Sequence, residues 1–434
     1  MAGCGLNMQS NYAHLRPQMM AGNYDGAAAY VDSVRESFYD RNSRLLYLMD
    51  RGMVLHLAKR FQESNATLEQ AKQLAEELWT ESIGANAAAW LTTDNALPYQ
   101  GEDFEKVLLH FVASLNYMGL GDLDDARVEA RQISNALALY NGSYEDKNAY
   151  HDDAFSRWLS GRLAETEAGA EAKNDAWIDY KKSLTLYEQE YAARYGTQLP
   201  QLVVASALRV LSALGPDFAD EFAQLRTRYP QVVYAPTAAT PQGQVVFIHL
   251  NGEAPIKEDR FWTAVVGTSV LRVAYPVFRT RQPAIVYATV TPRSAPTAAV
   301  HTEMMENINA IAVQNLSDHM GRIQAKAIAR AVAKFAAGTA LEFLGKRERG
   351  SAGGALALVG ALWNLGNAVA EQADKRSWVT LPANVTAAEL WLAPGPQALD
   401  VAYHDASGQV LERTSLTANV RPGETLFLSH RTFR

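Results

Sequence analysis

The sequence predicts an α+β protein. An all-α helical-repeat domain, residues 11–230, precedes an antiparallel β-sandwich, residues 231–434, with an inserted helical hairpin at about 302–372. Three observations predict this. In the first half a small residue, an aromatic or leucine, and then alanines recur in succession. After Tyr229-Pro230 the texture changes to β-branched and aromatic runs punctuated by Gly and Pro. Charge divides at the same place: residues 1–230 carry 21 Lys+Arg against 32 Asp+Glu, and residues 231–434 carry 19 against 15. A chain of 434 residues exceeds the size of one core, so more than one domain is expected. A hydrophobic content of 48% with 20% charged residues is too apolar for disorder. The absence of one concentrated basic face argues against nucleic acid as a partner.

Residues 1–10 read as a lipidated or disordered tail. The only cysteine is Cys4, which excludes an intramolecular disulfide and any cysteine-based metal site. Met1-Ala2-Gly3-Cys4 ends like a bacterial lipobox, but the charged and apolar regions of an export signal do not stand before it. Cys4 is therefore either the acylated residue of a chain whose signal lies upstream of Met1, or a plain exposed thiol. A lone cysteine at position 4 favours acylation, which tethers a protein without a transmembrane helix.

From about residue 11 to 230 apolar residues fall three and four apart, as helices require. Asn23-Tyr24-Asp25-Gly26-Ala27 matches the second half of one unit. A full unit spans Leu45–Leu78, with Gly52 at a close helix crossing, Leu48 and Leu55 on its first helix, and Leu68 and Ala71 on its second. Another spans Val107–Tyr140, with Ser114 at the crossing, a Gly121-Asp122 turn, then Ala126, Ala130 and Ile133. A looser one places Gly161 at the crossing, followed by Ala176, Tyr180 and Ser183. This spacing is that of tetratricopeptide-like helix pairs, the alternative being an irregular helical bundle. Between the second and third units, Pro98 and Gly101 end a helix, and Glu102, Asp103 and Glu105 suit the first turn of the next better than a catalytic cluster. Asp122, Asp124 and Asp125 read the same way and lack calcium-loop spacing.

In this order, the Cys4 lipobox, Leu48…Gly52, Tyr99-Gln100-Gly101-Glu102-Asp103-Phe104-Glu105-Lys106, Asn116-Tyr117…Gly121-Asp122 and Asp374-Lys375-Arg376-Ser377-Trp378…Leu381-Pro382-Ala383 resemble a poorly characterised family of bacterial lipoproteins. Its members combine N-terminal tetratricopeptide-like repeats with a C-terminal β-rich domain. The resemblance covers most of the chain. It implies export and an outer-membrane lipid anchor on the periplasmic face, and it brings no catalytic residues. The sequence departs from the pattern in lacking a visible export signal; without one upstream of Met1 the chain would be cytoplasmic.

In the second half, Gln244–Leu250, Ser269–Tyr275 and Ala284–Val290 read as strands, followed by Ala388–Leu392, Ala398–His404, Gln409–Leu416 and Glu424–Ser429. Pro394-Gly395, Ser407-Gly408 and Pro422-Gly423 supply the turns. Between the two groups a helix is predicted from Glu303 to Leu344. Arg322, Lys326, Arg330 and Lys334 fall four apart on one of its faces, suited to an anionic membrane, an acidic partner or solvent. Residues 352–370 carry no charge, yet their Gly, Ala, Asn364 and Asn367 oppose membrane insertion and favour a packed or self-associating hairpin.

No H-E-x-x-H helix, G-x-S-x-G elbow, P-loop or dinucleotide fingerprint occurs, and the nine histidines are scattered. The expectation is thus a non-enzymatic scaffold with no cofactor and no metal. Its partner, a protein or peptide, would lie in a concave groove lined by Met49, Met53, His56, Phe111, Met118, Phe155, Trp158 and Arg162. The same residues would otherwise be core. An alternative is a membrane-active or oligomerising envelope component acting through the 303–372 hairpin.

Overall fold

The computed structural model describes residues 8–84, 97–144, 148–235, 242–266, 269–324 and 373–434. Its N-terminal part is helical and its C-terminal part is built of sheets. The helices are α1 (Met8–Met20), α2 (Tyr24–Ser33), α3 (Arg44–Leu57), α4 (Phe61–Gly84), α5 (Asp103–Leu120), α6 (Leu123–Gly142), α7 (Ala154–Ala164), α8 (Ala170–Leu186), α9 (Ala192–Tyr195), α10 (Gln201–Leu214) and α11 (Ala219–Arg228). Two π-helical turns, Arg35–Tyr39 and Tyr187–Tyr191, lie between them.

Successive hairpins α3–α4, α5–α6 and α7–α8 pack each on the next. The close crossings fall where small residues stand. A Cβ on Gly52 would come within 2.5 Å of the Leu68 side chain, and one on Gly161 within 2.5 Å of Tyr180. At Ser114 the hydroxyl donates to the Ala126 carbonyl at 2.8 Å, which joins α5 to α6. Gly121 adopts φ +80° and Asp122 caps α6, accepting from the Asp125 N–H at 3.4 Å. Glu102 and Glu105 form a capping box at the start of α5.

The strands are β1 (Gly243–Asn251), β2 (Ile256–Val266), β3 (Ser269–Arg279), β4 (Tyr287–Pro292), β5 (Val300–His301), β6 (Glu303–Glu306), β7 (Asn384–Leu392), β8 (Gly395–His404), β9 (Val410–Val420) and β10 (Thr425–Arg431). One sheet has the order β10-β1-β7-β6, a second β5-β4-β8-β9, and β2 and β3 form a separate ribbon. Strand alternation sends Val246, Ile248 and Leu250 of β1 into a core shared with the helices. Val245 and Phe247 enter a second core with Val290, Leu399, Val401 and Tyr403. The first sheet is therefore a middle layer, and all nine residues of β1 are buried. One continuous apolar cluster runs from Leu15 of α1 to Phe433, so the two halves share a core.

Two expectations change and one strand is added. The first sheet is mixed, because β1 runs parallel to β10 and antiparallel to β7. Glu303–Glu306 is not the start of a helix but strand β6, paired with β7. The helix, α12, begins at residue 308 and is described to residue 324. Strand β2 was not foreseen, because Lys257-Glu258-Asp259-Arg260 lacks the apolar alternation of a half-buried strand. Cys4, Lys326, Arg330, Lys334 and the uncharged stretch 352–370 lie outside the described residues.

Candidate functional site

All eight residues of the predicted groove are at most 5% exposed. Helix α5 lies against β10 and α7 against β6, so the chain's own first sheet covers this face. The His56 Nδ1 stands 2.7 Å from Asn116 Oδ1, and burial pushes its imidazole down to about 4. The Met49 methyl packs beside Gly101. Phe155 stacks on Trp158 and meets Phe111 edge-on, while Trp158 donates to Ser206 Oγ at 3.2 Å. Met53 is fully buried, and Met118 borders a cavity with Phe427 of β10. The Arg162 guanidinium reaches across to the sheet, with Nε 2.6 Å from Glu389. His56 lines the same cavity as Met118, of about 580 Å³, and a partner could reach the other six side chains only by displacing packed structure.

Arg162 belongs to a closed ion cluster. Arg209 of α10 holds Glu165 at 2.8 Å and Glu389 of β7 at 3.1 Å, and Gln244 of β1 donates to Glu389 at 2.9 Å. Glu165 in turn pairs with Arg162. Two guanidinium groups and two carboxylates thus balance inside the helix–sheet seam.

A cleft of about 540 Å³ opens where the start of α5, the 97–101 loop, β2, α12 and the 374–376 segment meet. Two motifs that sequence places far apart converge here. Tyr99, Glu102, Asp103 and Lys106 line the cleft from one side and Asp374 and Arg376 from the other, with Glu105 and Trp378 buried behind them. Glu105 accepts from the Trp378 N–H at 2.7 Å, from the Glu102 N–H at 3.0 Å and from the Tyr99 hydroxyl. Arg376 donates to the Asn42 carbonyl at 2.9 Å and the Leu97 carbonyl at 3.1 Å, and its guanidinium lies 5.2 Å from the Tyr99 ring centre. Lys257 of β2 pairs with Glu102 and sits above the Phe278 ring. Asp103 binds Lys106 at 2.8 Å and Asn148 at 3.1 Å, with His319 of α12 at 3.4 Å. Arg322 lies 4.5 Å over the Tyr144 ring on the rim.

Burial pushes Glu105 up to about 7, against the pull of Lys257. Burial also opposes the charge on Asp103, but Lys106 and His319 outweigh it and hold the carboxyl below its ordinary value. Lys257 is held above its ordinary value because Glu102, Asp374 and Glu105 outweigh its burial. Charge-stabilising neighbours therefore favour the ionised forms of Asp103 and Lys257 beside the cleft, whereas burial favours the neutral form of Glu105.

Sequence reasoning placed the carboxylates correctly at a helix start but missed Lys257 as the partner of Glu102, and the Asp374–Arg376 pair as the opposite wall. The signal available was the two motifs themselves, which belong to one resemblance although about 270 residues separate them. Among the described residues no group of three His, Cys, Asp or Glu is placed to hold a metal, and no helix is long and apolar enough to cross a membrane. No family, curated protein or solved structure matches this chain.

Proposed function

We propose that the chain is a non-catalytic binding protein of the bacterial envelope, lipid-anchored through Cys4. On this reading its helical hairpins are tetratricopeptide-like units seated on a β-sandwich. The close crossings at Gly52, Ser114 and Gly161 support the repeat, and the apolar core between the two four-stranded sheets supports the sandwich. The partner, a protein or peptide segment carrying both signs of charge, enters the cleft rather than the covered concave face. One observation carries this: acidic and basic groups from both halves line a single opening of about 540 Å³. Such a surface selects by charge pattern, and its rim governs encounter more than tightness.

The test is site-specific photo-crosslinking in cells. A photoreactive residue at the exposed Gln100, in the cleft wall, should trap one defined partner, and Arg376→Glu should abolish the adduct. The same group at the fully buried Met53 should trap none. An adduct at Met53 with none at Gln100 would return the function to the concave face.

A second reading, the membrane-active or oligomerising component, is favoured by the β2–β3 ribbon. It stands apart from both larger sheets with Phe261 and Trp262 exposed. Asp259 at its stem holds the Ala373 N–H at 3.0 Å and Lys375 at 2.8 Å, where the chain returns from residues 325–372. Flotation of a Cys4→Ser protein with anionic liposomes, lost on Trp262→Ser, would support this reading; no flotation would remove it.

A further inference from the structure

A second cavity, about 440 Å³ in volume, lies between α1, β2, β3 and the chain's C-terminal end, separate from the charged cleft apart from a shared wall at Lys257. Leu15, Met19, Ile256, Val379 and Phe433 give it a largely apolar lining. Six cations also line it: Arg16, Lys257, Arg279, Arg281, Lys375 and Arg431. Four carboxylates answer them. Glu253 serves both Arg16 at 2.8 Å and Arg281 at 3.3 Å, while Glu102, Glu258 and Asp259 take Lys257, Arg279 and Lys375 respectively.

Arg431 is left over. It is 5% exposed, packs 4.7 Å from the Phe433 ring centre, and pairs with no carboxylate among the described residues. Only its Nη2 is engaged, on the Leu381 carbonyl at 3.0 Å and the Thr380 carbonyl at 3.4 Å. Nε and Nη1, which carry three of its five N–H groups, find no acceptor. Ser377, on the same wall, is likewise buried with its hydroxyl unpartnered. Burial lowers the Arg431 guanidinium to about 9, against the influence of Glu253. A buried cation without a counter-charge is costly, and a protein rarely keeps one without use.

We propose that this cavity binds an anionic amphiphile, a single carboxylate or phosphate head on a short apolar chain. Arg431 and Ser377 receive the head, and the Leu15, Met19 and Val379 wall receives the chain. The volume is in the range of small-molecule sites.

Titration calorimetry on the full chain decides this with four probes: decanoate, decyl phosphate, decanol and inorganic phosphate. At least one of the two anionic amphiphiles should bind, with decanol and inorganic phosphate at least ~10-fold weaker. Arg431→Met should weaken the bound amphiphile by roughly 10- to 100-fold. Val379→Trp, which fills the cavity while keeping the cation, should abolish binding, so the result does not depend on one variant folding. Equal binding of decanol, undiminished binding by Arg431→Met or Val379→Trp, or no binding of either anionic amphiphile to the natural protein would each overturn the proposal.

Discussion

Buried arginines stand at two places along the helix-facing side of one sheet, and they are treated in opposite ways. In the seam between α7, α10 and β7, Arg162 and Arg209 are matched by Glu165 and Glu389, with Gln244 closing the set. At the end of β10, Arg431 is equally buried and has no carboxylate. A balanced cluster holds surfaces together and leaves no charge for a ligand to answer. An unbalanced one weakens the empty protein and reserves an interaction for an incoming anion. The same sheet face thus serves as cement in one place and as a receiving position in another.

Glu389→Ala gives the largest effect, because it leaves both Arg162 and Arg209 partly unpaired in the seam. A loss of about 3–5 kcal/mol in urea denaturation is expected. If the loss stays under about 1 kcal/mol, the cluster is not what joins helices to sheet, and the contrast with Arg431 fails.

Glu105 stands between the two extremes, a buried carboxylate held by Tyr99, Glu102 and Trp378 with Lys257 nearby. Its folded value, about 7, lies above the ordinary 4.5, so the folded state holds the proton more tightly than the unfolded chain. Its contribution to stability is therefore present at low pH and is lost as pH rises from about 4.5 to about 7. Relative to Glu105→Gln, the natural protein should lose up to about 1.4 kcal/mol per pH unit across that window. Asp50, raised by burial to about 6, acts in the same direction, while His56 and His430, lowered by burial to about 4, act in the other. The difference between the two proteins, measured pH by pH, isolates Glu105. A flat difference would mean that its carboxyl is ionised throughout.

Arg431→Met is expected to have a smaller effect of the opposite sign. Removing an unpaired buried cation should raise the stability of the unliganded protein by about 1 kcal/mol. A loss comparable to that of Glu389→Ala would show that Arg431 is also structural, and the two arginine sets would then be alike.

Much of the helical half is legible in the sequence because its rules are local. Gly52 and Gly161 mark close crossings, and Asp122 and Glu102 cap helices, through spacings of a few residues. The strands of the second half are legible where β-branched runs alternate, as in Leu399, Val401 and Tyr403. Long-range choices are not legible. The parallel pairing of β1 with β10 joins Gln244 to Thr425, and nothing in either strand announces it. Met49, Phe111 and Trp158 suit a groove and a core equally well, and what covers them is decided by a sheet contributed from beyond residue 242. The cleft has the same origin: Glu102 and Asp103 read as helix-start carboxylates, and only the fold brings Arg376 and Lys257 to them.

The smallest effect is expected on the outer sheet, and it tests whether charge pairing alone, without burial, distinguishes the two arginine sets. Arg293 and Asp400 form a well-aligned pair, with Arg293 Nε and Nη2 both within 3.0 Å of the carboxylate, and Ser415 donates at 2.6 Å. The hydrogen bonds from Arg293 and Ser415 hold the Asp400 carboxyl down to about 2. By geometry this pair rivals Arg209–Glu389. Yet Arg293 and Asp400 are 59% and 47% exposed, so water solvates both charges when they part and salt screens them when they meet. Arg293→Ala should therefore leave the urea midpoint unchanged within error at moderate salt. A shift approaching that of Glu389→Ala would show that alignment, rather than removal from water, sets the worth of an arginine in this protein, and the distinction between Arg209 and Arg431 would then need another cause.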